Sequence, residues 1–237
     1  MKFLKISVAI LTFTTNVTMG QGISAEDLLK KSIAYHDPNG QWATFEGQLI
    51  VEMETPSRPL RHTELEISLP KNYFKSDVQQ DGVTTTSVWD KGKCQHFFEG
   101  DSDISEDIAE KYRLNCERTN KMRNYYTYLY GLPMKLQDPG TRLYPIVEKK
   151  EFMDDTYYCL RVDYDEAVGT DRWYFYFDTA TYQLRHYKFY HDETQNDGEY
   201  ILLADEVVLN GMRLPKIRSW YTNADNTFLG TDTLVVE

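Results

Sequence analysis

Short segments in which apolar and polar residues alternate run through most of the chain, and turn signals separate them. In residues 45–53, apart from Ile50, apolar side chains or glycine alternate with glutamate and glutamine, which is the period of a strand with one buried face. Asp81-Gly82 and Asn210-Gly211 are dipeptides typical of tight hairpin turns. Because strands joined by tight turns pair antiparallel, the sequence predicts a mainly antiparallel β fold.

The predicted strands lie on both sides of a helical region. They are residues 44–55, 64–69, 73–78, 83–89 and 94–98, followed by 146–152, 157–164, 173–178, 183–190, 199–209, 212–221 and 227–236. A first helix begins at Ser24 and ends at a turn over residues 36–40, and helical patterns recur in residues 104–114 and 125–130. No proline- or serine-rich linker separates the halves, so we expect one curved sheet with helices in a single α+β domain, residues 21–237.

Residues 1–20 have the features of a cleaved signal peptide. They begin with a basic segment, continue with the apolar stretch 8–13, and end with Thr18 and Gly20 at positions −3 and −1 of a cleavage site. The apolar stretch is too short to span a bilayer, so we expect no stable membrane anchor. The sequence therefore predicts a periplasmic or secreted protein.

The charge balance argues against two classes of partner. The chain has 37 aspartates and glutamates against 26 lysines and arginines, a formal net charge of -11. Nucleic-acid binders neutralise phosphates with lysine and arginine, so we expect no nucleic-acid partner. The same excess of acids argues against docking on a membrane surface of anionic lipid head groups.

Three cysteines, Cys94, Cys116 and Cys159, allow at most one internal disulfide and leave one thiol unpaired. Export makes a disulfide feasible. Among the three pairings we favour Cys94–Cys116, because it closes the shortest loop and joins the end of a strand to the following helix. Three independent buried thiols are the alternative.

Clusters of acids and histidines raise the question of an active site. They are Asp154-Asp155, Asp163 with Asp165 and Glu166, Asp192-Glu193, and His186 with His191, Asp192 and Asp197. A carboxylate pair would suit a hydrolase and the histidine group a metal, but neither spacing matches a defined motif, and polar turns explain the same residues. Gly-x-Ser-x-Gly, phosphate-loop, His-Glu-x-x-His and Cys-x-x-Cys motifs are missing. We expect no catalytic residue, metal or cofactor, and a hydrolase is the least favoured alternative.

Aromatic residues share one face of two consecutive predicted strands. The candidate lining residues are Trp173, Phe175, Phe177, Tyr187 and Phe189, with Trp89 and Trp220 as weaker candidates. Lining a concave sheet under helices, such rings would hold an apolar ligand. The alternative is that the same rings fill a core closed by the helices.

Several motifs together resemble a known family. They are Tyr35-His36-Asp37-Pro38-x-Gly40-x-Trp42, the run 173–178 continued by Thr181-Tyr182-x-Leu184, and Gly198-Glu199-Tyr200-Ile201. The chain is similar to an uncharacterised family of exported bacterial proteins whose architecture is related to the LolA/LolB lipoprotein carriers. The resemblance implies a strongly curved half-barrel sheet, with a few helices covering its concave face. In the carriers that space holds lipoprotein acyl chains in the periplasm.

These observations predict a non-enzymatic periplasmic protein that binds a lipid, a lipoprotein acyl chain or another hydrophobic ligand in the half-barrel. The main alternative is an interaction or sensor module that recognises another envelope protein and has a filled core.

Overall fold

The structure, a computed structural model, describes residues 22–235, and the predicted signal peptide, residues 1–20, lies outside them. The helices are α1 (Ala25–His36), α2 (Glu106–Tyr112) and α3 (Cys116–Gly131). The strands are β1 (Glu46–Thr55), β2 (Arg58–Ser68), β3 (Tyr73–Gln80), β4 (Val83–Asp90), β5 (Lys93–Phe98), β6 (Thr141–Leu143), β7 (Glu148–Phe152), β8 (Asp155–Tyr164), β9 (Arg172–Asp178), β10 (Leu184–Tyr190), β11 (Glu199–Leu209), β12 (Met212–Thr222) and β13 (Phe228–Val235). None of the described helices has both the length and the apolar character of a membrane span.

All the strands of the described residues belong to one antiparallel sheet. Their order is β5-β4-β3-β2-β1-β13-β12-β11-β10-β9-β8-β6, and β7 pairs with β8. The pairing of β1 with β13 brings the first and last strands together inside the sheet. The sheet is open, with β5 at one edge and β6 and β7 at the other. The predicted mainly antiparallel α+β fold is confirmed.

Helix α3 lies in the hollow of the sheet, and its contacts reveal how strongly the sheet curves. The guanidinium of Arg123 lies 4.6 Å from the ring of Trp89 on β4, and the ring of Tyr128 lies 5.6 Å from that of Trp173 on β9. Strands β4 and β9 would be roughly 38 Å apart in a flat sheet with this strand order. Along the helix axis Arg123 and Tyr128 are only about 7.5 Å apart. One helix reaches both strands because the sheet bends around it as a half-barrel.

Helix α1 is tied to the sheet by its last residue, His36, which is fully buried. Nε2 of its ring accepts a hydrogen bond of 2.9 Å from the backbone N–H of Leu184 on β10. Nδ1 therefore carries the proton, and it donates to the carbonyl oxygen of Arg213 on β12 at 2.7 Å. The carboxylate of Asp37 accepts a hydrogen bond from the backbone N–H of Trp42 at 2.8 Å. The motif over residues 36–42 thus forms the helix-ending turn expected from the sequence.

Two strands differ from the prediction by more than two residues. β2 begins at Arg58, before the predicted start at residue 64, because its backbone pairing with β1 continues to the Thr55–Arg58 pair although no apolar alternation marks these residues. The sequence does not predict β6, since three residues are too few to show a strand period. Strand pairing therefore extends beyond the segments that hydrophobic alternation marks.

The favoured disulfide, Cys94–Cys116, is present with a Cα–Cα distance of 5.5 Å. The position of the disulfide in the fold differs from the prediction. Cys94 lies near the N-terminal end of β5, not at the end from which the chain continues to the helices. Cys116 is the first residue of α3, and α2 lies between the two cysteines. Cys159 on β8 is the free, buried thiol. The disulfide therefore attaches the N-terminus of the helix in the hollow to an edge strand of the sheet.

Candidate functional site

The five main candidate rings come together on the concave face of β9 and β10, and we call them the aromatic wall: Trp173, Phe175, Phe177, Tyr187 and Phe189. Phe175, Phe177 and Tyr187 are fully buried, and the other two are half-buried. The ring centroids of Trp173 and Phe189 are 4.7 Å apart, and those of Phe175 and Tyr187 are 5.9 Å apart. Strand alternation puts these side chains on one face, as predicted.

Tyrosines of α3 fill the hollow in front of the concave face. The ring of Tyr125 stacks on Trp220 of β12 at 6.3 Å, and that of Tyr126 stacks on Phe74 of β3 at 6.3 Å. The hydroxyl of Tyr128, whose ring contacts Trp173, lies 2.6 Å from the hydroxyl of Tyr164 on β8. In this structure the concave space is therefore occupied by side chains of the helix.

The two weaker candidates, Trp220 and Trp89, lie in different places. Trp220 is buried on the concave face, in the part of the sheet next to the aromatic wall. Trp89 lies on β4, in the other half of the sheet. Its indole is covered by Arg123 and donates a hydrogen bond of 3.3 Å to Oδ1 of Asn72. Trp220 belongs with the wall, whereas Trp89 mainly holds α3.

Charged residues lie in the middle of the concave face. In the sheet register, Arg61 of β2 is opposite Met53 of β1, Met53 is opposite Asp232 of β13, and Asp232 is opposite Arg218 of β12. Residues directly opposite each other point to the same face, so these side chains form one row. Arg218 and Asp232 are each 1% exposed.

Arg218 connects this row to helix α3. Its Nη2 donates a hydrogen bond of 3.1 Å to the carbonyl oxygen of Leu129, and its guanidinium lies 4.2 Å from the ring centre of Tyr130. Its Nη1 donates to the carbonyl oxygen of Pro215 at 3.3 Å. Arg218 therefore contacts both the sheet and the helix that covers it.

Burial controls the protonation of the groups around Arg218. It raises the pKa of the Asp232 carboxyl, and the positive charges of Arg218 and Arg61 oppose that rise. Burial also raises the pKa of Tyr187 to about 12. The tyrosine hydroxyls of the site are therefore neutral at physiological pH and able to donate hydrogen bonds.

The residues considered for hydrolysis or metal binding lie outside this hollow and do not converge. His186 points to the opposite face of the sheet, where its ring lies 4.4 Å from that of Tyr157, and burial lowers its pKa to about 4. His191, in the loop after β10, contacts Asp171 at 2.7 Å. Among residues 22–235, no group of three or more histidine, cysteine or acidic side chains is arranged to hold a metal ion.

Two of the acids considered for hydrolysis, Asp163 of β8 and Glu193 after β10, are paired with arginines. Asp163 contacts Arg161 at 2.5 Å and Arg172 at 3.2 Å, and Arg172 also contacts Glu193 at 2.8 Å. Two open grooves of about 380 Å³ and about 440 Å³ adjoin this network, and both include Asp163 and Arg172 in their lining. Carboxylates held by arginines in this way suit an ion-pair network better than an acid–base pair.

Sequence reasoning missed the central charges of the concave face. Arg218 lies on the same face of β12 as the buried residues Leu214 and Trp220. Asp232 lies on the same face of β13 as the buried residue Leu234. A lone charged residue at the alternation of core residues is a signal for a buried polar group. The tyrosines of α3 enter the sequence analysis only as part of the helical pattern over residues 125–130.

The architecture is that of a LolA-like half-barrel. A LolA superfamily protein from Nitrosomonas europaea aligns with a TM-score of 0.54 and 10% identity, over 91% of this chain and 93% of that one. A domain described as an outer membrane lipoprotein-sorting protein, from Vibrio parahaemolyticus, aligns with a TM-score of 0.50 and 13% identity, over 90% of this chain and 92% of that one. A DUF1329 family protein from Desulfovibrio piger has a TM-score of 0.47 and 7% identity, over 89% and 91%.

Within that fold class, the chain belongs to a family of unknown function, DUF6503, whose model matches residues 5–237. No curated protein shows significant sequence similarity to the chain. The two alignments with TM-scores of 0.54 and 0.50 have low sequence identity and therefore establish the fold alone.

Proposed function

We propose that this chain is a non-enzymatic periplasmic binding protein that holds a lipid, a lipoprotein acyl chain or another hydrophobic ligand on the concave face of the half-barrel. The observation that carries the proposal is the aromatic wall, a continuous apolar surface in the hollow, covered by one helix. The two structural neighbours, a LolA superfamily protein and a domain described as an outer membrane lipoprotein-sorting protein, support the same class of ligand. The disulfide supports an oxidising compartment such as the periplasm.

Ligand binding requires the tyrosines of α3 to move, since they occupy the hollow in this structure, which we call the closed form. A ligand chain that takes the place of these tyrosines restores the apolar contacts of the wall. Each CH2 group that it buries contributes about 0.8 kcal/mol to the binding free energy. Cys116 holds the N-terminus of α3 on β5, so the helix remains attached to the sheet while its tyrosines move. We therefore expect exchange between a closed form filled by α3 and a form filled by ligand.

The absence of catalysis is part of the proposal. The row across the middle of the hollow contains two arginines and one carboxyl among aromatic rings, and burial keeps the hydroxyl of Tyr187 protonated. Outside the hollow, Asp163 and Glu193 are held in ion pairs with Arg161 and Arg172. These features support binding rather than hydrolysis.

Binding of a fluorescent fatty acid to the delipidated protein tests the proposal. Saturable binding is expected. Phe189→Ala, which removes a half-buried ring of the wall, should weaken it about tenfold, or about 1.4 kcal/mol. The matched control is Phe228→Ala, whose ring is 40% exposed and contacts Tyr221 outside the wall. No saturable binding, and no amphiphile in the mass spectrum of material that co-purifies, would overturn the proposal.

The interaction module is the second candidate, and the filling of the hollow by α3 is the observation that favours it. In that case the concave face is a structural core and the protein acts through another envelope protein. This alternative predicts that the protein forms a stable complex with another envelope protein. Phe189→Ala should leave the stability of that complex unchanged. Saturable fatty-acid binding that depends on Phe189 would exclude this alternative as the sole function.

A further inference from the structure

Six buried hydrogen-bond donors on or against the concave face have no hydrogen-bond partner within residues 22–235, and one of them is the hydroxyl of Thr63. We call the other five the donor cluster: Arg61 Nε, Tyr130 OH, Tyr187 OH, Arg218 Nε and Trp220 Nε1. Native proteins leave few buried polar groups unpaired, because an unpaired donor loses its hydration without replacement. Five in one region therefore indicate a site at which these donors are meant to meet something.

Arg218 and Tyr130 are in contact at the middle of the sheet, where the ring of Tyr130 lies against the guanidinium of Arg218. In the row of opposite residues Arg218 is next to Asp232, and Arg61 lies on the other side of Asp232 with Met53 between them. The charge of Arg218 opposes the effect of burial on the pKa of Tyr130 and of Tyr187, so its guanidinium is within electrostatic reach of both hydroxyls.

Trp220 and Tyr187 extend the cluster toward the aromatic wall. Trp220 follows Arg218 on the same face of β12. Ile201 of β11 is opposite both Trp220 and Tyr187, so these two side chains lie in one row. Tyr187 also belongs to the wall, where its ring contacts Phe175. The cluster and the wall are therefore one continuous surface with a polar end.

The chemistry of the cluster selects a particular kind of group. The N–H groups of arginine and tryptophan only donate hydrogen bonds. The carboxyl in the same row, Asp232, has an oxygen without a hydrogen-bond partner and a pKa raised by burial, and it supplies at most one negative charge against two guanidinium groups. A group that only accepts hydrogen bonds and is negatively charged satisfies such a set. This local excess of positive charge contrasts with the net charge of -11 of the whole chain.

We propose that the donor cluster binds the anionic head group, a carboxylate or a phosphate monoester, of a single-chain amphiphile whose hydrocarbon chain lies along the aromatic wall. This inference rests on the proposed function, because α3 covers the cluster in the closed form. It adds a requirement that the proposed function does not contain: the ligand is an acid rather than a neutral lipid.

Titration calorimetry on the delipidated protein tests the requirement with three probes of equal chain length: palmitate, hexadecyl phosphate and hexadecanol, each below the concentration at which it aggregates. Palmitate and hexadecyl phosphate are expected to bind at least about tenfold more tightly than hexadecanol. The reason is that each acid forms one or more charge-assisted hydrogen bonds that the alcohol does not form. Millimolar inorganic phosphate is expected not to displace palmitate.

A double variant, Tyr187→Phe with Trp220→Phe, removes two donors and keeps an aromatic ring at each position. It should reduce the preference for the two acids over hexadecanol to about threefold or less, with hexadecanol binding unchanged. The control is Tyr200→Phe, which changes a buried tyrosine that stacks on Tyr221 on the opposite face. Circular dichroism verifies that both variants are folded.

The outcomes separate the two proposals. Equal affinity for all three probes in the unchanged protein overturns the acid requirement and leaves the proposed function standing. Inorganic phosphate that displaces palmitate assigns the cluster to a free anion and also overturns it. Binding of none of the three probes overturns the proposed function itself.

Discussion

Nε2 of His36 accepts a hydrogen bond of 2.9 Å from the backbone N–H of Leu184, 148 residues further along the chain. With Nδ1 donating to Arg213, the neutral ring connects α1 to β10 and β12. A protonated ring has N–H groups on both nitrogens, so it is unable to accept from Leu184. This one contact makes the attachment of α1 depend on pH.

We therefore expect the free energy of unfolding to fall as the pH is lowered from 7.5 to 5. Burial lowers the pKa of His36 below its ordinary value of 6.5, so the folded state favours the neutral ring. A histidine with a lowered pKa stabilises the fold fully above its unfolded pKa and loses that contribution as the pH falls. Urea titrations across this range measure the slope.

His36→Gln checks the assignment of that slope. The free energy of unfolding of the variant at pH 7.5 should be about 1–3 kcal/mol lower than that of the unchanged protein, because the substitution disturbs two buried hydrogen bonds. It should also have a smaller difference in stability between pH 7.5 and 5 than the unchanged protein. His186, whose pKa is lowered to about 4, contributes in the same direction, so a residual slope is expected. An unchanged slope in the variant would contradict the role assigned to His36.

The Cys94–Cys116 disulfide should contribute substantially to stability. It joins residues 22 apart in the sequence, and a crosslink of that span contributes about 3 kcal/mol by limiting the unfolded chain. Cys94→Ala with Cys116→Ala should therefore lower the free energy of unfolding by that amount in urea titrations. Treatment of the unchanged protein with a reductant should have the same effect. A reductant that further destabilises the double variant would show that the loss is not due to this disulfide.

The strands and the aromatic wall were predictable because they depend on local alternation. Strand alternation alone places Trp173, Phe175 and Phe177 on one face. The row that joins Arg61, Asp232 and Arg218 was not predictable, because it depends on β1 pairing with β13, a contact between distant parts of the chain. Local patterns do not specify such pairings.

The position of α3 was also beyond local reasoning. A helix on a flat sheet buries one stripe of apolar residues, and this stripe can be found in the sequence. Here Arg123 and Tyr128 point to strands on opposite sides of the half-barrel, and Tyr125 and Tyr126 contact still other strands. A helix surrounded by a curved sheet has contacts on several sides, so its sequence shows no single stripe.

Cys159 should be unreactive in the folded protein although it is a free thiol. Burial raises its pKa to about 11, so only about 0.1% of the group is thiolate at pH 8. Iodoacetamide at pH 8 should leave the native protein unmodified and add one carbamidomethyl group after unfolding without reductant, as read by mass spectrometry. Rapid alkylation of the native protein would contradict the burial of this side chain on β8.

Gly131, the last residue of α3, should not tolerate a side chain. A Cβ atom there would lie 2.4 Å from Cζ2 of Trp42 and 2.5 Å from Cγ of Lys135, well inside van der Waals contact. Trp42 is buried and stacks on Phe45, so its ring has little freedom to move away. We expect Gly131→Ala to lower the free energy of unfolding by about 1–3 kcal/mol, the range of overpacked cores, as measured in urea.

The control for this change is Gly169→Ala, because nothing lies within 4 Å of a Cβ atom at that position. Its free energy of unfolding should stay within about 0.5 kcal/mol of that of the unchanged protein.

The same pair of variants tests whether Trp42 holds the C-terminal end of α3 in the closed form. In that case Gly131→Ala should also accelerate fatty-acid uptake in stopped-flow fluorescence, whereas Gly169→Ala should not. A Gly131→Ala protein that is as stable and as slow as the unchanged one would show that Trp42 does not hold the helix in place.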